Sequence, residues 1–175
     1  MLERILIAGS GGQGVVLAGK LLASSAARDI PHVTFFPDYG AEVRGGTSKC
    51  QVTLSSHEIA SPVSDAFETM LIMNSASMDS FTDAMPAKGV TFLNSSLCTP
   101  PADLPGPFIL VPATETADGL GDVRSANFVM LGAYLKHRPF VPARAVEEVL
   151  RAALSKKGNS LVDLNLKALR AGMSA

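Results

Sequence analysis

At 175 residues the chain is long enough to bury one core and short for two. Its 15 Lys and Arg nearly balance 16 Asp and Glu, a net charge of -1 that provides no general field for nucleic acid or an anionic membrane. Hydrophobic residues reach 47% against 18% charged, a balance that suits either a tightly packed α/β core or a surface buried against a partner.

Residues 4–8, RILIA, form a short apolar run that ends in glycines. Residues 14–28 then place Val15, Leu17, Leu21, Leu22 and Ala26 at helical spacing, which predicts strand, tight turn and helix. Pro31 separates this helix from HVTFF (32–36), rich in β-branched and aromatic residues, so the first 36 residues read as a βαβ unit with a right-handed crossover. The stretch PDYGAEVRGGTSK (37–49) mixes glycine, proline and charge and predicts a long, anchored loop of the kind that carries function. Residues 50–55 read as a strand, with 57–60 pairing back on it as a hairpin. Further strands are expected at 69–74, 90–94 and 108–111, with a short helix at 77–85 and a proline-rich connection, CTPPADLPGP, at 98–107. The last third is helical: 123–137, 142–154 with Pro142 in its first turn, and 160–171, capped by Asn159 and ended by Gly172. Together these predict a single α/β domain over residues 1–175: three layers, a mainly parallel sheet with helices on both faces, a Rossmann-like start and a β-hairpin insertion.

Two glycine-rich stretches carry the chemistry. Gly9, Gly11 and Gly14 fall on the spacing G-x-G-x-x-G, and glycines there let backbone N–H groups face an anion or a neighbouring chain at the start of the following helix. A dinucleotide fingerprint also wants an acidic residue at the end of the second strand, a place Asp38 could fill. This leaves a stand-alone NAD- or FAD-binding oxidoreductase, or a nucleotide-binding sensor, as alternative functions; glycines that merely turn a strand into a helix are the bland one. The overlapping Gly14-x-x-x-x-Gly19-Lys20 imitates a P-loop but has Leu21 where a magnesium-binding hydroxyl belongs. In the second stretch, YGAEVRGGTSKCQV (39–52), Arg44, Gly45, Gly46, Thr47 and Ser48 could hold a phosphate or carboxylate, or Glu42 and Arg44 could pair internally. Asn127, polar among Phe128, Val129, Met130 and Leu131, either bonds the glycine loop or caps a nearby backbone group. Cys50 and Cys98, far apart and without C-x-x-C spacing, assemble no disulfide framework and no metal or iron–sulfur site, and they point to a reducing, cytoplasmic setting.

In combination, GSGGQGVVLAGKLLA, DYGAEVRGGTSKCQV, IASPV (59–63), LIMN (71–74), RSANFVMLGAYL (124–135) and NLKALRAG (165–172) resemble the gamma subunit, or gamma domain, of the 2-oxoacid:ferredoxin oxidoreductases, in the family's order and across nearly the whole chain. Ala41 and Val43 stand where many relatives carry Pro and Met. The resemblance implies a subunit of an enzyme that oxidatively decarboxylates a 2-oxoacid to an acyl-CoA, with electrons passing to ferredoxin. It also implies partners (alpha, beta and, where present, delta subunits), no nucleic acid and no membrane. Thiamine diphosphate and 4Fe-4S clusters are implied to be held mainly by the other subunits, and coenzyme A to lie near this one. By position, Gly9, Gly11, Gly12, Gln13, Gly14, Arg44, Gly45, Gly46 and Thr47 are the candidate binding residues; no residue is given a catalytic or metal-binding role. Among 2-oxoacids, the resemblance places 2-oxoglutarate slightly ahead.

Overall fold

The run LERILIAGS forms β1 (Leu2–Ser10), buried on both sides: Ile5 and Ile7 join the core on one face of the sheet, Leu6 and Ala8 that on the other. A strand apolar on both faces belongs in the middle of a covered sheet. The computed structural model, which describes residues 1–39 and 47–174, places it there. The sheet order is β2 (His32–Tyr39), β3 (Thr47–Ser55), β1, β4 (Thr69–Ile72), β5 (Val90–Asn94) and β6 (Phe108–Val111). β1, β4, β5 and β6 pair in parallel, while β3 is antiparallel to both of its neighbours, so the sheet is mixed and mostly parallel.

The hairpin expected between 50–55 and 57–60 does not form. β3 pairs instead with β2 on one side, Phe35 opposite Val52, and with β1 on the other, Ile7 opposite Cys50; the chain leaves the sheet after Ser55. Val52 and Leu54 are fully buried, and two long neighbours satisfy the backbone of β3 along both edges, which four residues containing His57 and Glu58 could not do. The loop expected over 37–49 is correspondingly shorter. Pro37 to Tyr39 continue β2, Thr47 to Lys49 begin β3, and Asp38 faces Lys49 across the ladder with their side chains 3.3 Å apart. Pro37 is tolerated because β2 is an edge strand, where a missing N–H costs no ladder bond on the open side.

Helix α1 (Val15–Ala26) follows β1 and leads to β2, but β3 is inserted between those two strands. The same sheet face carries α3 (Ala113–Gly119), α4 (Ala126–His137), α5 (Ala143–Leu154) and α6 (Asn159–Ser174), whose apolar residues share one core with Ile5, Ile7, Val52 and Phe92. On the other face α2 (Ser75–Phe81) supplies Met78, and the segments after it supply Met85, Cys98 and Leu104, to cover Leu6, Ala8, Met70 and Ile72. Every residue of α4 from Ala126 to Leu135 is buried, as its nearly unbroken apolar sequence requires. α3 is absent from the sequence prediction, and α2 starts at Ser75, with Asn74 as its cap, ahead of the expected 77. α6 runs through Gly172 to Ser174. That glycine serves close approach to α4 and not termination, since a Cβ on it would strike the Val129 carbonyl. Among the described residues, no helix is long and apolar enough to cross a membrane.

Candidate functional site

β1 hands the chain to α1 on one face, whereas β4 hands it to α2 on the other, so the connections diverge between two adjacent parallel strands. In open α/β sheets the crevice outside the carboxyl ends of such strands is where ligands bind. The glycine loop, Gly11 to Gly14, lies at this point. Gly12 and Gly14 hold φ of 95° and 71°, left-handed values natural only to glycine. At Gly14 a side chain is excluded twice, because a Cβ would also overlap Asn127 Nδ2.

That contact answers the question raised by Asn127: its Nδ2 donates to the Gly14 carbonyl at 3.0 Å, tying α4 to the loop. Its Oδ1 is buried and has no partner among the described residues. Gly14 is the N-cap of α1, with no side-chain capping bond and no acidic residue in the first turn. Among the described residues nothing compensates the first N–H groups and the positive helix end, worth about 0.3–1 kcal/mol to an anion at an exposed site. Arg124 reaches the same rim. Its guanidinium grips both oxygens of Asp122 at 2.7–3.0 Å, and those bonds hold the Asp122 carboxyl below the usual carboxylate range.

Two concavities meet at Gly12 and Arg124. One, of about 160 Å³, lies between Gln13, Met73, Leu97 and Thr114. The other, of about 300 Å³, is bordered by Gly14, Leu17, Asn127 and Lys157. Larger hollows of about 400 and 480 Å³ open elsewhere, beside Glu68 and Arg138 and beside Arg4 and His57. They sit near the starts of β1 and β4, away from the switch point, and have no glycine-lined helix end.

Of the residues expected to bind, Gly9, Gly11, Gly12, Gln13 and Gly14 share this rim, and Thr47 joins them because it pairs with Ser10 across the β1–β3 ladder. Arg44, Gly45 and Gly46, and the suggested Glu42–Arg44 pair, lie outside the described residues. The sequence reading missed Asn74, which braces the loop through Ser10 and Gln13, Asn94 and Thr114, which tie β5 to α3 further along the rim, and Arg124. A legible signal existed for the first two: each of the apolar runs TMLIM and VTFL ends in an asparagine, a polar amide where a parallel strand reaches the rim.

Asp38 cannot play the ribose-binding acid. Its strand is separated from β1 by β3, placing it roughly 10 Å away across two ladder spacings, and Lys49 pairs with it. The cysteines suit no cluster either, since Cys50 belongs to the core on one face of the sheet and Cys98 to that on the other. Burial pushes the Cys50 thiol up to about 12 and the Cys98 thiol, with Asp79 adding to the effect, up to about 11. At pH 8 only roughly one Cys50 in ten thousand carries the reactive thiolate. Both thiols are expected to resist a disulfide reagent at pH 8 in the folded protein and to react promptly in guanidinium; rapid labelling of either one without unfolding contradicts the burial argument.

Residues 4–175 match the family model described as pyruvate ferredoxin/flavodoxin oxidoreductase. The chain belongs to that family. It is 34% identical over 173 residues to the ketoisovalerate oxidoreductase subunit VorA of Methanothermobacter thermautotrophicus, covering 97% of this chain and 35% of that one. It is 30% identical over 179 residues to the 2-oxoglutarate synthase subunit KorC of the same organism, covering 97% and 93%. Among solved structures, the gamma subunit of a keto/oxoacid ferredoxin oxidoreductase from Geobacter sulfurreducens superposes with a TM-score of 0.80 at 27% identity, over 99% of this chain and 95% of that one. The 2-oxoglutarate:ferredoxin oxidoreductase of Magnetococcus marinus, solved with 2-oxoglutarate, coenzyme A and succinyl-CoA bound, superposes at 0.90 and 26% identity, over 99% of this chain and 30% of that one. The chain thus spans about a third of the length of the ketoisovalerate and Magnetococcus relatives. The resemblance to the gamma component of this family holds, and so does the α/β fold; nothing in the comparisons favours a stand-alone nicotinamide or flavin enzyme.

Proposed function

We propose that this chain is the gamma component of a cytoplasmic 2-oxoacid:ferredoxin oxidoreductase, assembled with alpha and beta subunits, and that its glycine-loop rim receives part of coenzyme A. The observation that carries the ligand reading is the pairing of opposite needs at one rim. The acid-free start of α1, which has no side-chain cap, and the Lys157 cation favour phosphate, while Asn127 Oδ1, buried and without a partner among the described residues, wants an N–H or O–H donor. Coenzyme A offers both, phosphates at one end and amide N–H groups along its arm. When bound it supplies the thiol that accepts the acyl group, whereas the residues of this chain bind and orient and move no proton in the reaction. The donor set here does not fit an iron–sulfur cluster, so clusters, like thiamine diphosphate, are assigned to the partners.

Relatives acting on ketoisovalerate and on 2-oxoglutarate, at 34% and 30% identity, make a branched-chain oxoacid and 2-oxoglutarate the first two substrates to assay. The test is purification of the native assembly. Larger subunits bearing thiamine diphosphate, a broad brown absorbance, and ferredoxin reduction that depends on both a 2-oxoacid and coenzyme A are expected. A lone chain carrying a nicotinamide or flavin overturns the reading.

A further inference from the structure

Gln13 stands inside the glycine loop, yet its side chain turns inward. Its Oε1 accepts from the Ser10 backbone N–H at 2.7 Å and from Asn74 Nδ2 at 2.8 Å, while its own backbone N–H donates to the Ser10 carbonyl at 3.1 Å. The side chain also fills the space above Gly9, where a Cβ would come within 2.7 Å of Oε1. Asn74, at the end of β4, is fully committed as well. Its amide N–H groups go to Ser10 Oγ at 2.7 Å and to Gln13, and its Oδ1 caps α2 by accepting from the Ser77 N–H at 2.9 Å. One step further along the rim, Asn94 donates to the Met73 carbonyl at 3.1 Å and to Thr114 Oγ1 at 2.8 Å, and accepts from the backbone N–H groups of Ala113 and Thr114, where α3 begins. Side-chain amides therefore link the ends of β1, β4 and β5 to the starts of α2 and α3.

We propose that Asn74 and Gln13 are positioning residues: an amide relay that holds the glycine loop in its ligand-receiving shape before the ligand arrives, leaving the loop backbone and Asn127 to make the contacts. This rests on the coenzyme A reading above and adds to it the residues that set the loop geometry. A loop fixed in advance does not spend binding energy on being ordered. The asparagine at position 74 is needed for a stated reason. An aspartate would keep the α2 cap but turn an acceptor toward Gln13 Oε1 and lose both donors, so the cap and the relay separate in one substitution.

The experiment compares Asn74→Asp, Gln13→Met and Gly14→Ala in the assembled enzyme, reading KM for coenzyme A, KM for the 2-oxoacid, kcat and Tm. Asn74→Asp and Gln13→Met, which removes the Oε1 acceptor without adding charge, are expected to raise KM for coenzyme A roughly tenfold while KM for the 2-oxoacid and kcat stay within about twofold and Tm stays within a few degrees. Asn74→Gln, which restores the donors on a longer arm, is expected to recover part of the loss. A purely structural role would lower Tm without separating the two KM values, and that result overturns the relay. An unchanged KM for coenzyme A in Asn74→Asp alongside a raised one in Gly14→Ala also overturns the relay but leaves the ligand reading standing. Unchanged values in all three variants remove the ligand reading and the relay together.

Discussion

Gly132→Ala is expected to destabilise the protein by about 2 kcal/mol, although the same change in an exposed helix stabilises. Alanine in a helix interior gains about 1 kcal/mol over glycine. At this position, however, the new Cβ would overlap the Leu169 carbonyl of α6, and at Gly172 it would overlap the Val129 carbonyl of α4. The obstacle is backbone on both sides, so no rotamer change relieves it and the two helices must separate. Overpacking of that kind costs about 1–3 kcal/mol and occasionally more, here at the top of the range because α4 is buried throughout and has no slack toward the sheet. The check is urea unfolding of the purified protein with the Tm alongside; a chain of this size loses roughly 2–4 °C per kcal/mol. The double substitution at Gly132 and Gly172 is expected to cost less than the sum of the two, since one separation of the helices accommodates both methyls. A rise in Tm for Gly132→Ala would show that α4 and α6 do not meet at these glycines.

The same pair shows why part of the fold is legible in the sequence and part is not. Gly172, just past the periodic run NLKALRA, reads as a helix stop, because local pattern cannot distinguish a glycine that ends a helix from one that admits a neighbouring backbone. Only the partner, the Val129 carbonyl in α4, settles which it is. β1, α1, β4 and α4 are readable because burial dictates their composition: apolar on both faces for the strands, apolar all round for α4. The β3 insertion is not readable. Nothing in CQVTLS states that its two partners are β1 and β2, or that Pro37 and Asp38 continue a strand; that follows from an edge position that only the assembled sheet defines.

The candidate site divides along the same line. Its glycines announce themselves by spacing, and the composite of motifs points to the family. What holds the rim does not announce itself, since Asn74, Asn94 and Asn127 come from three distant segments and are brought together only by the assembled fold. Asp38 illustrates the converse, a residue in the right place by count and the wrong place by topology. Counting along the chain assumes that consecutive strands of a βαβ unit are adjacent, and here they are not.

Arg138→Ala is expected to cost about 3–5 kcal/mol, more than Glu3→Gln, although both break the same ion pair. Glu3 is completely buried on β1, whereas the Arg138 side chain keeps 29% of its surface exposed just beyond the end of α4. The carboxylate accepts from Arg138 through both Nε and Nη2, and from Thr69 Oγ1 at 2.6 Å. Removing the guanidinium leaves a buried charge with one hydroxyl for company, the situation in which a broken pair costs about 3–5 kcal/mol. Nearby Tyr134 stays a neutral phenol and adds no second charge, since burial first and then the Glu3 charge push its hydroxyl far above the usual range. Glu3→Gln, by contrast, leaves a cation that already touches water and stacks over the Phe140 ring at 4.9 Å, and the amide still offers an acceptor to Thr69; a loss of about 1–3 kcal/mol is expected there. Replacing both residues by leucine removes the charge along with its partner, and such exchanges are often neutral, so the double variant is expected to recover most of what Arg138→Ala loses. Denaturant unfolding of the three variants decides the matter: if Glu3→Gln proves the more costly, the arginine and not the carboxylate is the group that depends on its partner, and the burial asymmetry does not govern this end of the sheet.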